Sequence, residues 1–376
     1  MTKKVLVVGM LDSIHLARWL DQFKDQDIQF LLFPSSPHRR VRPELKALLQ
    51  GGSKATYRLV GGARWWALPL WLADKLLGNI LRGWLLRSQV SRFSPDLIHL
   101  LEFQNAGYIA LRALKEGRRP GPRIIATNWG SDIYWFRRFP KHESKIRNLL
   151  AAADFYSAEC QRDVSLALSL GFKGVVLPVI PNAGGFDDHV LSRLTTPVGN
   201  RNVIAIKGYD GWVGRAKVAL AAVESIADSI SGLDVVVYSA NVGVLRKARK
   251  VASTTGLQIK VHGKGSLTHT EMLDLFAKAK IYVGISESDG ISTSLLESMA
   301  MGAIPGQTST SCCDEWFQDS GVSVSEISVS AVAGAILKGL SLSGSQANSD
   351  KNREIVRQRA NARDVFAKAK SFYQLD

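Results

Sequence analysis

The segment 280–309 contains the side chains best suited to bind an anionic ligand. An apolar strand is predicted over 280–286, followed by a loop with Gly290 and then a helix. Glycine allows the backbone to turn sharply and to approach a ligand closely. Amides in the first turn of a helix have no partner within the helix, and together with the helix dipole they bind phosphate well. The amides and hydroxyls at this helix start belong to Ser292, Thr293 and Ser294.

One carboxylate follows at a distance suited to a nucleotide. Glu297 lies about one turn beyond the predicted helix start. An acid near a phosphate-binding loop accepts hydrogen bonds from ribose hydroxyls in other nucleotide sites. The pattern therefore favours a nucleotide site at the carboxyl end of a strand, where open α/β sheets bind ligands. The alternative is an ordinary capped surface helix that follows a strand.

Short apolar strands alternate with helical patterns along the chain, which predicts an α/β fold. The strands lack period-two alternation, so we expect parallel sheets covered by helices on both faces. In the first half the predicted strands are 4–10, 28–34, 96–102 and 123–129. In the second half they are 202–208, 234–240, 258–263 and 280–286.

A stretch rich in Pro, Gly and Asn interrupts this series and predicts a boundary between two Rossmann-like domains. We place the N-terminal domain at 1–180, the linker at 181–200 and the C-terminal domain at 201–345. The remaining residues, 346–376, are predicted to form a C-terminal helix that packs back towards the N-terminal domain. A chain of 376 residues is long enough for two such cores.

Composition favours a protein of a reducing compartment with an anionic partner. The three cysteines cannot form a disulfide framework, and no His/Cys cluster has zinc spacing, so no metal site is expected. The apolar run at the N-terminus is short and interrupted by charges, which indicates a first strand and helix instead of a leader peptide. The net charge is +15, and residues 1–195 hold 28 Lys and Arg against 16 Asp and Glu. We therefore expect a cytoplasmic protein whose basic half meets phospholipid or another anion.

Residues 58–92 have the composition of an interfacial membrane segment. They contain four of the nine tryptophans, six basic residues and a single acid, Asp74. Tryptophan beside arginine on an amphipathic helix is typical of a segment that lies in the membrane interface, whereas the interrupted apolar run is too poor for a transmembrane span. A core helix of the first domain is the alternative. The predicted membrane residues are Trp65, Trp66, Trp71, Arg82, Trp84 and Arg87.

The second-half motif resembles that of the retaining GT-B glycosyltransferases of family four. The resemblance rests on an acid, seven intervening residues and a Glu, here Asp289 and Glu297, although the family usually has Glu at the first position. The residues that follow in the family pattern are Met299, Ala300, Gly302 and Pro305. It implies a GT-B fold of two Rossmann-like domains facing a cleft, a nucleotide-sugar donor as substrate, and neither a metal nor another cofactor. Asp289 would meet the donor sugar.

The resemblance also implies a basic pair that neutralises the donor diphosphate. Lys207 ends a predicted strand and Arg215 opens the next helix, in an order swapped from the usual one. Two cations beside a departing diphosphate stabilise the charge that develops as the sugar bond breaks. Solvated surface charge is the alternative for either residue. The implied chemistry retains the anomeric configuration, with the leaving phosphate accepting the acceptor's proton.

Acceptor-side candidates follow from the looser match in the first half. Trp129 stands where the family commonly has a histidine, and Asp132 is a candidate for orienting an acceptor hydroxyl. Gly9 and His15 belong to the first strand–helix loop. His15 is equally well interpreted as a helix-capping or solvated residue.

The acceptor hypothesis combines the family with the membrane-like segment. A lipid-linked saccharide of a cell-surface polysaccharide or lipopolysaccharide fits both, with the protein peripheral on the inner face of the cytoplasmic membrane. Two other hypotheses remain open: another GT-B enzyme such as a nucleotide-sugar epimerase, and a non-catalytic protein that binds anionic membranes. No nucleic-acid-binding pattern is present, so no nucleic-acid partner is expected.

Overall fold

The computed structural model describes residues 2–36, 41–60, 69, 72, 76–113 and 121–375. The chain forms two compact units. The first extends to Gly185 and resumes at Arg363, and the second comprises Phe186–Ala362. Within the described residues, no helix combines the length and apolar character needed to cross a membrane.

The first unit is built on a seven-stranded parallel sheet. Its strand order is β3-β2-β1-β4-β5-β6-β7. The strands are Lys3–Gly9 (β1), Ile28–Pro34 (β2), Thr56–Leu59 (β3), Leu97–Leu101 (β4), Arg123–Thr127 (β5), Phe155–Ser157 (β6) and Val175–Val176 (β7). The helices up to the unit boundary are Ile14–Asp21 (α1), Pro43–Leu49 (α2), Ile80–Phe93 (α3), Tyr108–Ala113 (α4), Pro140–Ala152 (α5) and Gln161–Ser169 (α6).

Continuous apolar strands form this sheet because both of its faces are covered. In β1, Val5 and Val7 pack into one apolar cluster, while Leu6 and Val8 pack into the cluster on the opposite face. Successive side chains of a strand point to opposite faces, so burial of both sets requires apolar residues at every position. The sequence pattern and the double-sided core therefore have the same cause.

The second unit has a six-stranded parallel sheet of order β10-β9-β8-β11-β12-β13. Its strands are Val203–Lys207 (β8), Asp234–Ala240 (β9), Ile259–Gly263 (β10), Ala279–Gly284 (β11), Ile304–Thr308 (β12) and Val322–Val324 (β13). Its helices are Asp188–Leu191 (α7), Ala216–Ser225 (α8), Val242–Thr255 (α9), His269–Lys278 (α10), Thr293–Ala300 (α11), Asp314–Phe317 (α12), Val329–Leu342 (α13) and Gln346–Ala360 (α14). The predicted fold class, two Rossmann-like parallel-sheet domains, is confirmed.

The C-terminal region contains two helices where the sequence predicted one. Helix α14 ends at Ala360 within the second unit, and the next helix, Ala362–Lys370 (α15), leads into the first. Asn361 between them has extended backbone angles. Phe186 bridges this break, because its amide donates to the Ala360 carbonyl at 2.7 Å and its carbonyl accepts from the Ala362 amide at 2.8 Å.

The end of the chain is anchored in the core of the first unit by a buried histidine. Tyr373 is fully buried, and its hydroxyl accepts a hydrogen bond from Trp19 Nε1 at 2.7 Å. The same hydroxyl lies 2.7 Å from His99 Nδ1, while His99 Nε2 lies 2.6 Å from Thr127 Oγ1. This network is satisfied when Tyr373 donates to Nδ1 and a neutral His99 donates from Nε2 to Thr127.

We expect acid to destabilise the first unit through His99. Burial lowers the pKa of His99 to about 3, whereas the unfolded chain binds this proton near pH 6.5. The unfolded state therefore holds more protons between these values, so stability is complete above about pH 6.5 and is lost as pH falls towards 3. At pH 5 the loss is about 2 kcal/mol. Urea unfolding of the wild type and of His99→Gln at pH 7 and pH 5 measures this loss of stability. If both proteins lose the same free energy of unfolding between the two pH values, His99 is not the cause.

Candidate functional site

The carboxyl ends of β8 and β11, which are adjacent in the second sheet, bring a lysine and an acid together. Lys207 is the last residue of β8, and its Nζ donates to Ser292 Oγ at 2.9 Å. The same Nζ lies 3.5 Å from Asp289 Oδ2, and it lies 5.0 Å from the centre of the Tyr209 ring. The structure therefore places two predicted site residues in an ion pair at the end of the central strands.

The charge of Lys207 is stabilised in a partly buried position. Its side chain is only 17% exposed. Burial by itself lowers the pKa of a lysine, but attraction to the Asp289 carboxylate and to the phenols of Tyr282 and Tyr209 outweighs it and raises the pKa of Lys207. A permanent cation thus lies beside the start of α11.

Arg215 is held by the same loop that carries Asp289. Its amide donates to the Ile285 carbonyl at 2.9 Å, and its Nε donates to Glu287 Oε1 at 3.1 Å. Its Nη1 donates to the carbonyls of Gly211 and Gly214 at 2.7 and 2.8 Å. Both predicted cations therefore contact the segment 285–289, each paired with one of its acids. Glu287 was not singled out from the sequence, because an acid in a loop carries no signal of its partner.

The loop that presents Asp289 is fixed by the end of β12. The amide of Asp289 donates to the Thr310 carbonyl at 3.3 Å, and the Thr308 hydroxyl donates to the Ser286 carbonyl at 2.9 Å. Gly290 donates its amide to Asp289 Oδ1 at 3.0 Å. Hydrogen bonds on both sides therefore hold the carboxylate opposite Lys207.

The start of α11 has the arrangement predicted for anion binding. Ser292 is the N-cap residue, but its side chain does not cap the helix, and its Oγ accepts from Lys207 instead. Among the described residues, no hydrogen bond is formed by the amides of Thr293 and Ser294. Donors at a helix start next to a lysine cation provide a positive site for a phosphate.

Glu297 is almost buried and is held by a histidine that the sequence analysis did not select. The residue is 6% exposed, and His269 Nε2 lies 3.0 Å from its Oε1. His269 begins α10, where Thr268 and Glu271 form a capping box. The Thr-x-x-Glu spacing indicates a helix start at His269. It does not indicate that this start faces α11, which depends on tertiary packing.

The first unit brings His15 and Trp129 together. Their rings meet edge to face with centroids 5.7 Å apart. His15 lies in the first turn of α1, where Ser13 Oγ accepts from the His15 amide at 3.2 Å. Gly9 ends β1, and its carbonyl accepts from the Ser35 amide at 2.9 Å. Three of the acceptor-side candidates therefore lie at or just beyond the carboxyl ends of β1 and β5.

Asp132, the predicted acceptor-side acid, is buried and accepts hydrogen bonds from two backbone amides of the first unit. It is 6% exposed, and its Oδ2 accepts from the Trp129 amide at 2.8 Å and from the Phe103 amide at 3.0 Å. Burial and the nearby Glu102 carboxylate raise the pKa of Asp132. The carboxyl group thus joins the loops after β4 and β5, because two backbone donors need an acceptor there.

The predicted membrane segment is only partly described. Trp65, Trp66 and Trp71 lie outside the described residues. Trp84 in α3 is 64% exposed, in agreement with a surface position. Its exposed apolar neighbours are Leu76, Leu77, Ile80 and Leu81. The helix start thus presents an apolar surface to solvent.

Arg82 and Arg87 of α3 hydrogen-bond inward, and the assignment of Arg82 to the membrane surface is wrong. Arg82 is 6% exposed, with Nη1 donating to the Ser35 carbonyl at 2.9 Å and Nη2 donating to the Pro34 carbonyl. Arg87 is partly buried, and its Nε donates to the Ala113 carbonyl at 2.8 Å. Carbonyls at the end of β2 and of α4 need donors, which these guanidinium groups supply.

Solved structures of low sequence identity share this fold over nearly the whole chain. A glycosyltransferase from Rickettsia africae aligns with a TM-score of 0.68 at 13% identity, covering 99% of this chain and 98% of that one. The α,α-trehalose 6-phosphate synthase of Burkholderia multivorans gives 0.72 at 12% identity, covering 100% and 99%. Anabaena HepE in complex with UDP-glucose gives 0.67 at 13% identity, covering 99% of both chains.

These likenesses establish a GT-B fold of two parallel-sheet domains. No protein-family model and no curated protein sequence matches the chain.

Proposed function

We propose that this chain is a retaining glycosyltransferase that moves a sugar from a nucleotide-sugar donor to an acceptor without a metal or another cofactor. The observation that carries the proposal is the cluster of Lys207, Arg215 and Ser292 around the loop 285–289. Two cations and the start of α11 converge there at the carboxyl ends of β8 and β11. Such a cluster suits the diphosphate of a sugar nucleotide.

Each acid of the site has a distinct role in this proposal. The diphosphate oxygens replace the Asp289 and Glu287 carboxylates as partners of Lys207 and Arg215. Asp289 then accepts hydrogen bonds from the donor sugar, and Glu297 binds ribose hydroxyls. The two cations stabilise the negative charge that grows on the diphosphate as its bond to the anomeric carbon breaks.

The transfer itself needs no carboxylate base. The acceptor oxygen forms its bond to the anomeric carbon on the face that the diphosphate leaves. Its proton passes to the departing phosphate oxygen, so the anomeric configuration is retained. The chain's contribution is to orient the reactants and to stabilise charge.

For the acceptor, we propose a lipid-linked saccharide of a cell-surface polymer, reached from the inner face of the cytoplasmic membrane. The exposed apolar start of α3, including Trp84, supports contact with a membrane surface. The family resemblance supports a saccharide. His15 and Trp129 are the residues that we propose line the acceptor side.

A donor panel tests the proposal. We expect one class among UDP-, GDP-, ADP- and CMP-sugars to raise the thermal stability of the protein, because ligand at 100 times its Kd adds about 2.7 kcal/mol. Glu297→Ala removes the ribose contact and should reduce the shift to about half or less at the same donor concentration. A nucleotide response with sugar isomerisation and no transfer would favour the epimerase hypothesis. No response to any donor, with firm binding to anionic vesicles, would favour the non-catalytic hypothesis.

A further inference from the structure

We propose that the segment 134–145 supplies the cations of a membrane-docking surface whose apolar part is the start of α3. The inference rests on the proposed membrane location and assigns it residues that the sequence pattern did not suggest. We call Arg137, Arg138, Lys141 and Lys145, with the aromatic residues Trp135 and Phe139, the basic loop surface.

The start of α3 presents exposed apolar side chains, whereas Arg92, the exposed arginine of this helix, lies in its last turn. Trp84 and Ile80 are 64% and 55% exposed. Its two central arginines hydrogen-bond to backbone carbonyls within the first unit. An interfacial helix needs an apolar face together with cations that attract anionic lipid headgroups. The cations must therefore come from another element.

The basic loop surface has cations without acidic partners. Among the described residues, no carboxylate forms an ion pair with Arg137, Arg138, Lys141 or Lys145. By contrast, the nearby Arg147 and Arg162 are paired with Glu143 and Asp163.

Aromatic rings hold two of these cations in place. The guanidinium carbon of Arg138 lies 5.0 Å from the centre of the Tyr134 ring and 4.8 Å from the Trp135 ring. Lys145 Nζ lies 4.7 Å from the Tyr108 ring. An aromatic face attracts a cation without supplying the formal negative charge of an acid, so the charge stays available to an anion.

Topology places the two regions at one edge and on one face of the first sheet. Helices α3 and α5 each precede a strand of this parallel sheet, so both begin at its carboxyl edge. Leu86 of α3 and Ile146 of α5 belong to the same apolar cluster, and α4 packs against both helices. The exposed start of α3 and the cationic start of α5 therefore flank α4 on the same side.

A bilayer fits this combination better than a soluble polyanion does. Phe139 is 46% exposed next to the cations, and Leu77 is 52% exposed just before α3. Exposed apolar side chains gain from contact with acyl chains, while a phosphate polymer offers them nothing comparable. The cations suit the anionic headgroups of the same surface.

Vesicle binding tests the proposal with a charge-matched control. The test variant carries Arg138→Gln, Lys141→Gln and Lys145→Gln. The control carries Lys46→Gln, Lys54→Gln and Lys338→Gln, three exposed lysines that form no ion pair among the described residues. Binding to phosphatidylcholine vesicles with 30% phosphatidylglycerol should fall on the order of 100-fold in the test variant, since each cation near the surface contributes on the order of tenfold or less. The control should fall by about threefold or less.

A third variant and a donor titration separate the outcomes. Trp84→Ser should also weaken vesicle binding, while heparin binding should be weak and unaffected by it. Equal loss of vesicle binding in the test and control variants, absent vesicle binding by the wild type, or vesicle binding that survives Trp84→Ser would overturn the proposal. Donor-induced thermal stabilisation should persist in all these variants. If the wild type fails to bind vesicles but still responds to the donor, the docking surface is refuted and the transferase proposal stands.

Discussion

We expect Lys207→Met to lower kcat by about 100- to 1000-fold, the range seen when one preorganised group that stabilises transition-state charge is removed. The lysine cation lies 2.9 Å from Ser292 Oγ at the start of α11, where the proposed diphosphate leaves. Methionine preserves most of the side-chain volume and removes the charge. Steady-state transfer assays with the donor identified by the thermal panel measure the effect.

A control substitution at Lys247 distinguishes loss of the Lys207 cation from loss of any partly buried ion pair. Lys247 is also partly buried and paired with an acid, since its Nζ lies 2.5 Å from Glu224 Oε2. Lys247→Met removes an equivalent ion pair outside the site and should leave kcat within about threefold of wild type, because pairs of this exposure contribute little. Lys207→Met leaves the Asp289 carboxylate without its cation, which could destabilise the fold. The double variant Lys207→Met, Asp289→Asn removes both charges, and its thermal stability shows whether the unpaired acid affects folding. Full activity in a folded Lys207→Met variant would refute the proposed role.

We expect Glu297→Ala to raise the donor KM by about 10- to 100-fold, with a smaller change in kcat. Loss of hydrogen bonds from a buried, charged acceptor corresponds to roughly 1.5–3 kcal/mol. Ribose is distant from the reacting carbon and is bound equally before and during transfer, so the effect should appear in KM. The variant should also lose the preference for ribonucleotide over 2′-deoxyribonucleotide donors.

His269 provides an internal check on the Glu297 prediction. His269 Nε2 holds Glu297 Oε1 at 3.0 Å, so His269→Ala should raise the donor KM by a smaller factor, about 3- to 10-fold. His269→Gln retains a donor of similar reach and should recover most of the affinity. If Glu297→Ala leaves donor binding unchanged, the ribose site is elsewhere. If Glu297→Ala raises the donor KM but His269→Ala does not, the histidine contact is incidental to donor binding.

Most of the fold could be predicted from the sequence, because both sheets are covered on both faces. Such strands must be apolar at each position, and Val5–Val8 show this in the first unit. The final region could not be predicted in the same way. A continuous helical pattern gives no sign of the break at Asn361, which depends on hydrogen bonds to Phe186, a residue distant in sequence.

The same distinction between local and distant contacts decides which residue roles could be predicted. Local sequence identified Asp289, Ser292 and Glu297, because a strand, a glycine loop and a helix start lie within one short segment. It also identified the apolar start of α3. It could not show that Arg82 donates to the Ser35 carbonyl or that Asp132 accepts from the Phe103 amide, since these partners are distant in sequence.

The sequence by itself determined the α/β class, the helix start at α11 that we propose binds phosphate, and the excess of basic charge in the first half. These properties follow from local periodicity, helix ends and composition. Only the tertiary structure decided which polar side chains are paired: Lys207 with Asp289, Arg215 with Glu287, and His269 with Glu297. Parallel strands far apart in sequence end at the same sheet edge, and their side chains meet only after the sheet has formed.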